Sequence, residues 1–131
     1  MHKLVYKGEK MHNNSYWCYD LGCGFKALAG KTDADNDYLT MKIASANDYW
    51  FHITGQPGSH VIIKNSENLT PPRDILYKAA SIAAWHSKAR KAGKVSVSYT
   101  FIKNVKKPRG ASAGTVTIKQ AKKLKVTPRL P

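Results

Sequence analysis

The chain has 131 residues, 42% of them hydrophobic and 23% charged, with a formal net charge of +14. That length suits a single domain (1–131) with an ordinary core, and the composition excludes wholesale disorder. No apolar run approaches the ~20 residues needed to cross a bilayer, and the N-terminus has no secretory h-region, so a soluble cytoplasmic protein is expected.

The charge is unevenly placed. Residues 1–74 carry eight basic and eight acidic side chains and balance; residues 75–131 carry fourteen basic side chains and no acid. Such a field concentrates polyanions, and nucleic acid is the commonest of them.

In chain order, the first elements read as strands. Lys3 to Tyr6 is short, Ser15 to Leu21 carries Tyr16, Trp17 and Tyr19, and Phe25 to Ala29 follows the Gly22-Cys23-Gly24 break. Residues 1–25 are read as variable N-terminal strands. A short helix over about 35–45 is expected next, capped by Asp33 or Asp35. Tyr49 to Ile53 and Ser59 to Lys64 read as a hairpin across Gly55-Gln56-Pro57-Gly58, with Gly58 expected at positive φ.

A long helix is predicted over about 71–92. Thr70 would cap it, Pro71 and Pro72 would fill its first turn, and Gly93 would stop it. At 100° per residue, Ile75, Leu76, Ala79, Ala80, Ile82, Ala83 and His86 share one face, which makes His86 a buried neutral imidazole. Lys94 to Phe101 alternates as a strand, residues 103–114 form a basic loop, and strands over 115–118 and 122–126 precede a tail at 127–131. The sum is an α+β fold. About six short strands form a mainly antiparallel sheet covered by the long helix and the short one, with tight turns rather than helical crossovers between strands.

Metal and catalytic patterns are weak. His12, Cys18 and Cys23 fit no zinc spacing, and the run Asp33 to Asp37 lacks the Gly and Glu of a calcium loop. Neither a metal nor a cofactor is expected. Ser59 and His60 are adjacent on a strand and face opposite sides, which disfavours a nucleophile–base pair. His52 and His60 are expected to meet across the hairpin, clustered with Trp50 and Ser59 for shape and contact rather than turnover. Lys103, Lys106, Lys107 and Arg109 form the basic loop, and Lys119, Lys122, Lys123 and Lys125 follow it. Basic grooves with aromatic platforms such as Tyr49, Trp50, Tyr99 and Phe101 suit single-stranded nucleic acid, although Trp50 and Phe101 are expected in the core rather than on such a platform.

Several stretches carry a family resemblance. They are Gly30-Lys31-Thr32 with Asn36-Asp37-Tyr38-Leu39-Thr40; Asp48 to His52; Pro57 to Val61; the segment from Ala79 to Thr100; and Val105-Lys106-Lys107-Pro108-Arg109-Gly110-Ala111 with Gly114. In order and spacing the chain resembles NFACT-R, the C-terminal RNA-binding domain of the NFACT ribosome-associated quality-control factors, many of them long labelled fibronectin-binding proteins. The resemblance implies binding of tRNA or ribosomal RNA. It also implies association with the large ribosomal subunit, where the long family members act on stalled, tRNA-linked chains. Their N-terminal domain, helix-hairpin-helix part and coiled coil have no counterpart in these 131 residues, so a free-standing module is expected. The family usually places Arg after the glycine matching Gly30; Lys31 keeps the charge and loses the bidentate fork.

The leading reading is a non-catalytic RNA-binding module contacting RNA through Lys31, Trp50, His52, Ser59, His60, Lys103, Lys106, Lys107 and Arg109. No membrane and no small-molecule substrate are expected. Two other classes stay open: an RNA-processing enzyme using His52, His60 and Asp48, and an interaction domain for an acidic protein.

Overall fold

The computed structural model describes residues 15–131; the expected strand at 3–6 and His12 lie outside them. Strands β1 (Tyr16–Gly22) and β2 (Phe25–Gly30) form a hairpin, followed by α1 (Asp33–Tyr38), which runs on as a wider π-type turn over Leu39–Ile43. Strands β3 (Tyr49–Ile53) and β4 (Val61–Ile63) lead to helix α2 (Arg73–Trp85), then β5 (Val95–Phe101), β6 (Val105–Lys106), β7 (Thr117–Ile118) and β8 (Lys122–Val126). Six strands form one sheet in the order β1-β2-β4-β3-β5-β8, every neighbouring pair antiparallel, and β6 and β7 form a separate two-stranded ladder.

The fold class is the expected one, but two connections differ from the sequence reading. β2 and β3 run the same way with β4 between them, and so do β4 and β5 with β3 between them. The chain therefore crosses the sheet twice through helices, α1 once and α2 once. A tight turn cannot join parallel strands, so each crossover needs the length of a helix.

Both faces are covered. On one, α2 lays Ile75, Ala79, Ala80, Ile82 and Ala83 on Phe51, Val61, Ile63, Val97, Leu124 and Val126. The small alanines let the helix backbone approach the sheet closely. On the other, Leu39 joins Leu28, Trp50, Ile62 and Val105. β3 and β4 alternate between the two clusters, so the central strands are apolar on both sides.

Helix ends moved most. α1 starts at Asp33 because Thr32, rather than either aspartate, caps it: its Oγ1 accepts from the Asp35 N–H at 3.1 Å. α2 starts after both prolines, with the Pro72 carbonyl accepting from the Ile75 N–H; Thr70 makes no cap. It ends at Trp85 and not near Ala92. The Ser87 hydroxyl donates to the Ala84 carbonyl at 2.7 Å and accepts from the Ala89 N–H at 3.1 Å. The hairpin also captures the backbone there: the Ser59 N–H donates to the His86 carbonyl at 3.1 Å, and Gly58 bridges to Ser87. A side-chain competitor and a neighbouring strand together stop a helix that its own residues favour.

The terminal segment is not free. The Arg129 N–H donates to the Ser81 carbonyl at 3.3 Å, and Leu130 packs against the α2 core. Among the described residues no helix is long and apolar enough to cross a membrane.

Candidate nucleic-acid interface

The register of β3 on β4 pairs Trp50 with Ile62 and Phe51 with Val61. Continued toward the turn, it sets His52 opposite His60, both on the α1 face. The rings meet as expected: His52 and His60 lie 5.4 Å apart between centroids, Trp50 lies 5.7 Å from His52 and 5.2 Å from His60. These three side chains line a cleft of about 510 Å³, walled by the 54–58 turn and by the loop over residues 113–116.

His60 is 1% exposed and fully bonded. Its Nε2 lies 3.2 Å from the Gly114 carbonyl, which can only accept, and its Nδ1 lies 2.7 Å from the Thr40 hydroxyl. Nε2 therefore carries the proton and Thr40 donates to Nδ1, which is the neutral tautomer. Burial holds its pKa down at about 4, reinforced by the neighbouring His52 and opposed by the Gly114 carbonyl. Burial lowers His52 as well.

Ser59 is not in this cluster. It faces away, buried, and its hydroxyl donates to the Gly30 carbonyl at 2.6 Å. Gly58 lacks the expected positive φ; that conformation falls on Gly55, at +78°. Gly58 is needed for space instead, because a Cβ there would lie 3.0 Å from Ile53 and 3.1 Å from Ser87. Gly30 serves the same purpose: a Cβ would collide with the Asn36 side chain.

Asn36 and Asp37 hold the walls. The Asn36 amide accepts from the His60 N–H at 3.0 Å and donates to the Gly58 carbonyl at 3.3 Å. Asp37 accepts from the Gly114 N–H at 2.9 Å and pairs with Lys107 at 3.2 Å. The Lys107 ammonium also donates to the Ser112 and Thr115 carbonyls, so it braces its own loop. Asp48 is fully buried: it pairs with Lys64 at 2.7 Å and accepts from the Ser45 and Asn65 N–H groups. That commitment leaves His60 oriented by the Gly114 carbonyl and Thr40 rather than by this acid.

A second cleft, of about 350 Å³, opens on the other face of the sheet and shares Asp33, Pro57 and Gly58 with the first. Trp17 and His86 stack in it at 3.9 Å between centroids and 9° between planes. His86 is half-buried, not deep in the core: it caps α2, and its Nε2 lies 2.7 Å from the Tyr19 hydroxyl. Burial and nearby Arg90 lower its pKa to about 4. Lys31, one of the expected RNA contacts, places its ammonium 5.3 Å from the Trp17 ring centroid on this face, away from the histidine pair, and Lys88 and Arg90 also line the cleft.

The remaining cations are spread over the surface. Lys103, Lys106 and Arg109 are exposed, Lys103 with its ammonium 5.2 Å from the Phe101 ring. Phe101 is half-buried against Tyr49 and Trp50 is 2% exposed, so only the second is a core residue. The β5–β8 register sets Lys123 beside Ser98 and Lys125 beside Ser96, continuing the row from His52 across the sheet. Trp17, His86, Lys88, Arg90, Lys123 and Lys125 are absent from the sequence-based site. Strand alternation could have placed the two β8 lysines; nothing local joins Trp17 to His86. Among the described residues no three His, Cys, Asp or Glu side chains converge as a metal site.

Comparison with known proteins gives a concordant result. The family model of the NFACT protein RNA binding domain matches residues 14–120. The chain is 42% identical over 122 residues to the Rqc2 homolog RqcH of Bacillus subtilis (strain 168), covering 93% of this chain and 21% of that protein. It is 43% identical over 101 residues to the Rqc2 homolog RqcH of Streptococcus suis (strain 05ZYH33), covering 77% and 18%. The solved C-terminal part of the fibronectin/fibrinogen-binding protein from Streptococcus suis superposes with a TM-score of 0.78 at 38% identity, covering 87% of this chain and 45% of that one. The chain thus spans about a fifth of the curated relatives it matches, and within that span it belongs to the family of NFACT protein RNA-binding domains.

Proposed function

We propose that this chain is a non-catalytic module that binds tRNA or ribosomal RNA in the cytoplasm, in ribosome-associated quality control. One observation carries the reading. Of the fourteen cations in residues 75–131, Lys107 alone has an acidic partner among the described residues. A folded protein that leaves so many charges unpaired repels itself, and the repulsion is relieved when a polyanion binds. The cations flank two clefts and a serine-lined strip of sheet, an arrangement that tracks a phosphate backbone rather than a point ligand. The RqcH likeness supplies the ribosomal setting, and the resemblance to NFACT-R supplies the RNA.

The test is the salt dependence of RNA binding. Lys103, Lys106 and Arg109 each replaced by Ala should weaken binding, and each lost phosphate contact should reduce the log–log salt slope by roughly 0.7 to 0.9. Lys107 is left in place because it braces the loop. Unchanged affinity and slope in the triple variant would remove this loop from the interface. Salt-insensitive binding by the unaltered chain would refute the electrostatic reading itself.

A further inference from the structure

We propose that the Trp17–His86 cleft is a pocket for one unpaired nucleotide of a single-stranded RNA, its base lying against the ring pair and its phosphates held by Lys31, Lys88 and Arg90. The proposal rests on the RNA-binding reading and adds strandedness to it. The shape is suitable: about 350 Å³, with an indole and an imidazole lining it in near-parallel planes and Pro57 on the wall. The imidazole is neutral at pH 7, so the pair presents an uncharged aromatic surface. Such a surface accepts any base, because every base has a π-face.

The cations around it are held ready. The Arg90 guanidinium lies 4.5 Å from the Trp85 ring centroid and its Nε donates to the Trp85 carbonyl at 2.8 Å. Its terminal nitrogens have no acidic partner among the described residues. Lys31 sits over the Trp17 indole, where an arriving base can displace it toward a phosphate. One carboxylate, Asp33, lines the cleft, against three cations.

An A-form duplex keeps its bases stacked within the helix and offers none to such a surface. Charge density alone favours the duplex, which carries more phosphates per unit length. A preference for the single strand therefore isolates the stacking contribution from the electrostatic one.

The experiment uses the whole chain and fluorescence anisotropy at one fixed salt concentration. The probes are a labelled mixed-sequence RNA of about 12 nucleotides, within the span of a stacking groove, and the blunt duplex made from the same strand. The unaltered protein should bind the single strand more tightly. Trp17→Ala should weaken that binding about tenfold, the size of one lost base–aromatic stack, and bring the ratio of the two affinities toward one. Trp17→Phe should restore the ratio, which a general loss of folding would not do. Arg90→Gln provides a second route on a side chain outside the core and should weaken the single strand more than the duplex. Equal binding of both RNAs by the unaltered protein, or a ratio unchanged in Trp17→Ala and Arg90→Gln, overturns the pocket while RNA binding stands. If neither RNA binds at any salt concentration, the RNA-binding reading falls and the pocket with it.

Discussion

The molecule carries two tryptophan–histidine groups at one end of its sheet, on opposite faces, and they are built for different ends. Around Trp50, the imidazole of His60 is buried, its tautomer fixed by Thr40 and Gly114, and its walls tied down by Asn36 and Asp37. Around Trp17, the rings are half-buried, and the cations Lys31, Lys88 and Arg90 lack acidic partners among the described residues. The same residue types make a buried wedge with His60 hydrogen-bonded at both ring nitrogens. They make a receptive surface where the charges are left over. Within the wedge, the Trp50 indole N–H is buried without a partner among the described residues.

The contrast can be broken with a pair of substitutions. Trp50→Ala should destabilise the fold by roughly 3–5 kcal/mol, the usual range for a buried tryptophan, read from denaturant midpoints. Trp17→Ala should lower stability by well under half of that. Equal losses would show that Trp17 is as much a core residue as Trp50, and the distinction would collapse.

Acid should act mainly through the histidines. In the unfolded chain His60 takes a proton near pH 6.5, whereas in the fold it resists protonation until about pH 4. The folded state binds fewer protons in that window, so stability is full above about pH 6.5 and falls as the pH drops toward 4. The His60 contribution amounts to roughly 3 kcal/mol. The groups facing it are His52, Asp37, Lys107, Thr40 and Gly114. His86 adds a smaller effect of the same sign, being only half-buried. Thermal melts from pH 7 to 4 should show the decline, and His60→Gln should flatten most of it. A flat wild-type profile would contradict the buried neutral imidazole.

Asn36→Ala removes two hydrogen bonds from the 58–60 segment and leaves the buried His60 N–H unanswered, a loss of about 2 kcal/mol. Because Asn36 also lines the Trp17 cleft, amide exchange should rise at both clefts together. Smallest is Lys107→Ala. Its ion pair with Asp37 is about a quarter exposed, so stability should change by no more than about 1 kcal/mol. If RNA affinity nevertheless falls in that variant and the log–log salt slope falls with it, Lys107 contacts phosphate as well as its loop.

How much of this the sequence discloses depends on range. Strands β5 and β8 show in the alternation of their own residues and β3 in its aromatic and β-branched content, and the His52–His60 meeting follows from a turn only a few residues long. The end of α2 does not show: Ser87 competes locally, but the decisive partner is the Ser59 N–H, brought in from another element. The crossovers are hidden for a related reason, since strand order is a matter of pairing and not of periodicity. Trp17 and His86 meet only because α2 packs across the sheet to β1, and no spacing rule reaches that far. In the two-residue ladder, β7 falls inside the strand that alternation predicts over 115–118, whereas β6, in the basic loop, is too short to leave a pattern.

Strand β8 has a bearing on how the protein behaves in concentrated solution. It lies at the sheet edge, where backbone N–H and C=O groups invite another chain to add on. Three of its five residues, Lys122, Lys123 and Lys125, are exposed lysines, and a second copy approaching this edge brings the same charges with it. Mutual repulsion opposes strand addition at this edge. Neutralising these lysines, by substitution or by a polyanion in substoichiometric amount, therefore trades solubility for strand addition, and aggregation should appear first when RNA and protein are near charge balance.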